Sequence, residues 1–232
     1  MKSNTRTTRW LGAAFVAQFA TSIAFAFVSA KLLAGGAAGA LATAAVNLTA
    51  VRASALLELL TSAGIIALAT LLFATLGDQD RPRALVALGL WIAEAVLLAV
   101  GGLALYALGM LAADAGPASA SAASLAGAAT IAFSLYQYAF TAHMLFFCLG
   151  APLWYSLLYQ SNLVPHWLAG WGLVASLPLL VSTLLTLWDR GLSLGIIPGL
   201  PYAPFELFIG AWLIVRAARG AHAPIRLEGA LS

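Results

Sequence analysis

The sequence predicts an all-α fold, a polytopic membrane helix bundle of six transmembrane helices with both termini in the cytoplasm. Three observations predict it. Of the 232 residues, 62% are hydrophobic and only 8% are charged, whereas soluble domains carry about 25% charged residues. A chain this short of charge cannot cover a water-facing surface. Six apolar segments reach, or nearly reach, the ~20 helical residues that a bilayer crossing requires. The basic residues then fall mostly on one side of the threaded chain, as the positive-inside rule demands.

The first segment is Trp10–Leu33. Lys2, Arg6 and Arg9 precede it, and Val28–Ala30 resembles a signal-peptidase site. The run exceeds the ~7–15 residues of a signal core, so a retained span is expected. The Ala/Gly stretch 34–50 reads as a short surface helix or loop. The second span is Arg52–Leu76, closed by the polar turn GDQDRPR, and the third is Ala84–Leu111. A small, flexible connection over 113–124 leads to the fourth span, Phe133–Tyr159, in which Gly150 and Pro152 are candidate kink positions. The fifth span is Trp167–Trp188 and the sixth Pro204–Ala218. All six are expected to form a single transmembrane domain over residues 1–232.

Two joints carry more information. In YQSNLVPHWLAGWGLV, residues 159–174, Ser161 and Asn162 favour a turn. Pro165 cannot continue the fourth helix but suits the start of the fifth. Trp167 and Trp171 lie four apart, on one face, at the depth where indole rings anchor. The second joint, Gly191–Pro204, is too apolar for a free external loop and too rich in Gly and Pro for a regular helix. Pro204–Val215 covers only about 18 Å at helical rise, less than the ~30 Å core. The chain should therefore enter the membrane before the sixth span becomes helical, folding as a lid over the outer half of the bundle.

With the N-terminus in the cytoplasm, eight of the eleven basic residues lie on that side: Lys2, Arg6, Arg9, Arg81, Arg83, Arg216, Arg219 and Arg226. Lys31, Arg52 and Arg190 lie toward the other side. The expected location is the cell (plasma or inner) membrane.

Three stretches carry a family resemblance. YQSNLVPHWLAGWGL resembles the YRSRLVPRWLSxWGL signature of the bacterial membrane family known as domain of unknown function 4386. RTTRWLGAAFV at 6–16 is similar to that family's opening RTARxxGxxFL, and FELFIGAWLIVRAARG at 205–220 to its closing xEMxLAVWLIVKG. The landmarks span nearly the whole chain in the right order. Gln160, Asn162 and His166 depart from the more basic family pattern, which weakens the case for a charged turn there. The resemblance implies a six-helix integral membrane protein and implies no activity.

Ionisable groups within a bilayer are functional candidates by default. Glu94 lies roughly 15 Å into the third span from the inner side, and Glu58 roughly 10 Å into the second from the outer side. His143 is near the middle of the fourth span, and Glu206 near the outer start of the sixth. With Arg52 and Gln137 these form the candidate ligand-binding set, a polar cluster in the outer half. Ser54, Glu58, Thr61 and Ser62 share one helix face, and such a stripe must face protein or a wet cavity. Ser134, Gln137, Tyr138 and Thr141 form a second stripe, with His143 and Tyr136 almost opposite. Their helix is therefore either central or turns one polar group toward lipid.

Each feature has a plainer reading. Arg52, Glu58 and Glu94 can be structural ion pairs, Glu206 a helix-dipole partner, His143 a hydrogen-bonded core residue and Cys148 an inert apolar one. By depth, Arg52 is expected to pair with Glu206 within about 4 Å rather than with Glu58. No P-loop, dinucleotide fingerprint, HExxH or GxSxG is present. No catalytic residue, metal site or cofactor is expected, and no nucleic-acid partner. The function expected first is a non-catalytic membrane module or partner subunit, with membrane lipids around it and a membrane protein or small amphiphile as partner. The alternatives are a small-molecule or lipid binding or transport protein and, more weakly, an intramembrane enzyme using Glu58 or Glu94 as a base.

Overall fold

The computed structural model describes residues 5–114 and 122–221. Lys2, Arg226 and most of the 113–124 connection lie outside the described residues. Within them the elements are helical: α1 (Thr5–Leu33), α2 (Gly36–Val46), α3 (Leu48–Leu76), α4 (Arg81–Ala113), α5 (Ala122–Ser161), α6 (His166–Trp188) and α7 (Ala203–Ala221). Two 3₁₀ turns, Arg190–Leu192 and Ile197–Gly199, lie between α6 and α7. Six stretches are long and apolar enough to cross a membrane, so the chain is a multi-pass membrane protein. The end of the bundle carrying Arg6, Arg9, Arg81, Arg83, Arg216 and Arg219 is called the inner side below.

Local chemistry sets the helix boundaries. Asn47 opens α3 by accepting a hydrogen bond from the Ala50 amide at 3.1 Å. Asp80 opens α4 by accepting from the Arg83 amide at 3.1 Å, and its carboxylate also pairs with the Arg83 guanidinium at 3.0 Å. At the joint between α5 and α6, Asn162 takes a left-handed φ of 54°. The Ser161 hydroxyl accepts from the Leu163 amide at 3.0 Å, and Pro165 stands at the N-cap of α6. Trp167 and Trp171 stack with ring centroids 6.5 Å apart, as their spacing predicts.

The structure extends two of the expected elements. α5 begins at Ala122 rather than Phe133 and runs for 40 residues, unbroken through Pro152. Its extra turns are Ala-rich, hence strongly helix-forming. They also find a partner in α2, where Ala40 packs with Leu108, Ala129 and Phe133. The 34–50 stretch, expected as a surface helix or loop, is helical as α2, with Ala40 and Ala44 buried between the outer ends of α1, α4 and α5.

The spans pack in the order α7, α1, α3, α4, α5, α6, and a thin seam between α6 and α7 closes the arc. Backbones approach closely at α1 and α7, where a Cβ on Gly12 would stand 2.7 Å from the Gly210 carbonyl oxygen. Small residues at such a crossing let helices gain dispersion contact, the main attraction available between helices in lipid.

This contact also fixes the depth of α7. The two helices run antiparallel with Gly210 against Gly12, so Ala203 lies level with the middle of α1. α7 therefore begins well short of the outer end of α1, and the sixth membrane-length stretch, Ile197–Arg219, takes in the end of the irregular chain before it. The outer half of that crossing is the irregular segment 189–202, which packs on α6. The Trp171 indole N–H donates to the Pro201 carbonyl at 2.9 Å and ties the segment's inner end to α6. Irregular backbone at this depth persists only where protein or a cavity satisfies it.

Candidate functional site

Beside that segment the outer half of the bundle is hollow. A cavity of about 540 Å³ is lined by α1, α3, α4, α5, Leu179 of α6, the irregular segment and the first turn of α7. α1 and α5 face each other across it, with α3 and α4 forming the wall between them.

Four of the six sequence-predicted site residues line this cavity: Glu58, Glu94, His143 and Glu206. The α3 stripe is wholly buried, at Ser54, Glu58, Thr61 and Ser62, as its spacing requires. Glu58 has room because α4 carries Gly101 and Gly102 opposite it. A Cβ on Gly102 would stand 3.2 Å from the Glu58 carboxyl oxygen. Glu94 lies about two turns deeper, and its Oε1 is 3.8 Å from His143 Nδ1, beyond hydrogen-bond reach. Glu206, half-buried in the first turn of α7, completes the floor with Tyr202. The Tyr202 hydroxyl hydrogen-bonds the buried Tyr155 hydroxyl.

The other two candidates lie elsewhere. Arg52 is exposed, does not line the cavity, and makes no ion pair with Glu206 or Glu58. The expected Arg52–Glu206 pair is therefore absent. Similar depth does not bring side chains together when helix rotation points one of them outward, and Arg52 sits a third of a turn off the α3 stripe. Gln137 lines a smaller outer pocket of about 290 Å³, with Thr141, Thr186, Arg190 and Ser193. Of the two sequence alternatives for α5, the outward one holds: its second stripe opens at the surface, where Tyr138 is 55% exposed. His143 and Tyr136 face the main cavity, and Gln137 and Thr141 face the outer pocket.

The lid expectation holds in part. Ile196 and Gly199 line the cavity, and the segment borders Glu206 but not Arg52. Leu194, Ile196, Ile197 and Leu200 are exposed along it, presenting an apolar edge.

Sequence reasoning missed the α1 contribution. Gln18, Ser22 and Ser29 line the cavity. Their spacing of four and eleven residues puts them within about 60° of one another on a helix, a stripe that was legible in an otherwise apolar span. Gln18 is held against α3 at Gly64, where a Cβ would stand 2.7 Å from its amide oxygen.

The site has a definite chemical bias. The side-chain oxygens of Gln18 and Thr61, both Glu58 oxygens, Glu94 Oε2 and His143 Nδ1 are buried without a hydrogen-bond partner. Among the described residues, no lysine or arginine lines the cavity. Among the described residues, no three His, Cys, Asp or Glu side chains form a metal-binding group. The cavity lining is mainly apolar, its few polar groups are chiefly acceptors, and among the described residues no fixed positive charge faces it.

Residues 10–217 match the protein family described as Domain of unknown function (DUF4386). The chain belongs to this family. The match covers four spans whole, all but the ends of the first and the last, the irregular segment and every cavity residue. No curated protein and no solved structure matches the chain. The site is therefore interpreted from its own geometry.

Proposed function

We propose that this DUF4386 protein binds a small amphiphile in the cavity of its outer half, and that the ligand's polar end is a protonated amine. The supporting observation is the set of unpartnered acceptors on Gln18, Glu58, Thr61 and Glu94 around one space. Burying such groups without partners costs free energy, and an ammonium brings three donors and one positive charge to them. The rest of the lining, including Phe19, Ile23, Leu98, Phe140 and Met144, is apolar and suits a hydrocarbon chain. The volume falls in the ~300–1,000 Å³ range of small-molecule sites.

The module or partner-subunit reading treats the intramembrane charges as structural ion pairs. It is less well supported, because among the described residues no arginine or lysine approaches Glu58 or Glu94. The basic inner end supports a plasma or inner membrane location with that end in the cytoplasm. In intact cells, a membrane-impermeant thiol reagent should label Ser193→Cys and not Gln79→Cys, and the reverse pattern overturns the orientation.

The decisive experiment titrates the protein in nanodiscs with a medium-chain primary alkylamine and with the alcohol and carboxylate of equal chain length. The amine should raise the unfolding temperature, by the equivalent of about 2.7 kcal/mol at a hundredfold excess over Kd. Equal stabilisation by the alcohol, or preference for the carboxylate, rejects the reading.

A further inference from the structure

The smaller outer pocket has the opposite chemistry. We propose that it is an oxyanion subsite centred on Arg190, and that the two pockets together select an amphiphile carrying both an amine and an oxyanion. The second half of this inference rests on the amine reading above, and the subsite itself does not.

Arg190 is held from two directions. Its guanidinium hydrogen-bonds Gln137 Oε1 and lies over the Tyr138 ring, 4.8 Å from the centroid. A guanidinium carries five donors, so this anchoring leaves others without a partner. Arg190 is exposed at this surface, and its planar fork suits bidentate binding of phosphate or carboxylate. With its carbonyl taken by Arg190, Gln137 keeps its amide N–H donors. The Ser193 hydroxyl accepts from the Gly195 amide at 3.4 Å and keeps its own proton to donate. Thr141 and Thr186 spend their hydroxyl protons on backbone carbonyls at 2.8 Å and do not compete for the guanidinium as charges would. Among the described residues, no carboxylate lines the pocket.

The two pockets are neighbours. Leu33, Tyr136 and Phe140 line both, so three apolar or aromatic side chains form the wall between them. Tyr136 and Glu58 both flank Gly101, where a Cβ would stand 3.6 Å from the tyrosine ring and 3.5 Å from the carboxyl oxygen. A carboxyl therefore sits on one side of this wall and a guanidinium serves the other. A ligand with both charges can satisfy both sites at once, whereas a simple amine leaves Arg190 unused.

The test compares four probes on the full chain in nanodiscs made from uncharged detergent-like lipids. They are an alkylamine, an alkylphosphoethanolamine, an alkylphosphate of the same chain length, and inorganic phosphate. The phosphoethanolamine should bind about tenfold more tightly than the amine, the scale of one charged hydrogen-bonded contact. In Arg190→Gln that ratio should fall to about one, and Arg190→Lys should restore part of it. A ratio is read because general structural damage weakens both ligands alike.

Arg190-dependent stabilisation by inorganic phosphate supports the subsite with a free anion as its source, and stabilisation by the chain-bearing phosphates alone supports it with a lipid headgroup as source. A wild-type ratio near one overturns the joint selection, and a ratio that survives Arg190→Gln overturns the role of Arg190. If the amine fails to bind while alkylphosphate binds in an Arg190-dependent way, the amine reading fails and the oxyanion subsite stands.

Discussion

In the inner half of the bundle Trp91, Trp154, Tyr155 and Phe205 belong to a buried aromatic core, whereas the outer half keeps a mainly apolar cavity, bordered by Trp91, into whose wall carboxyl, amide and imidazole groups are set. The inner half is filled by pairing large rings with absent side chains. The Trp91 ring occupies the space a Cβ on Gly150 would need, and the Phe205 ring does the same at Gly172. In the outer half glycine works differently: Gly101 and Gly102 leave space beside a carboxyl group rather than under a ring. The same residue type produces close packing where its neighbour is aromatic and a polar recess where its neighbour is glutamate. The boundary between the halves is the start of α7, where Tyr202 belongs to both.

The largest effect that tests this contrast is expected in the inner half. Trp154→Ala removes a fully buried ring and should cost about 3–5 kcal/mol, read as a lower unfolding temperature and loss of folded protein in detergent. A cost below about 1 kcal/mol would mean that the inner half is not the stabilising part of the bundle.

In the outer half the expected sign reverses. Glu58 has no partner for either carboxyl oxygen, so Glu58→Leu strands nothing. The empty protein should be unchanged or stabilised by about 1–3 kcal/mol, the usual cost of an unsatisfied buried polar group. Retention of the alkylamine should fall by about tenfold or more, the scale of a charged hydrogen bond. Stability at the expense of binding is the usual trade at functional sites. A marked loss of stability would show instead that Glu58 holds the bundle together.

The smallest effect is expected at Arg52. It is exposed and unpaired with either glutamate, so Arg52→Ala should shift stability by less than about 0.5 kcal/mol and leave amine binding within twofold. A larger shift would restore the ion pair expected from depth alone.

Much of this architecture was legible because the bilayer is a demanding solvent. Backbone groups must be satisfied internally, so apolar length converts directly into spans, and the basic residues sort to one end. The short Pro204–Val215 run implied a crossing completed by irregular chain, and the sixth membrane-length stretch, Ile197–Arg219, includes such chain before α7. The α3 stripe was legible because four polar residues on one face of a membrane helix have one tolerable direction. What periodicity could not supply is the rotation of one helix against another. Arg52 and Glu206 lie on different helices, and their separation depends on how α3 and α7 each turn about their axes, which close contacts such as Gly12 on Gly210 decide. The same holds for α5, whose sequence shows two polar stripes but not which pocket each one faces. The sequence by itself therefore determined the spans, their order and the polar residues to be hidden, through the cost of exposing polar groups to lipid. Only the tertiary structure decided which of those residues share a cavity, because side-chain packing at helix crossings sets those rotations and is not encoded in any single segment.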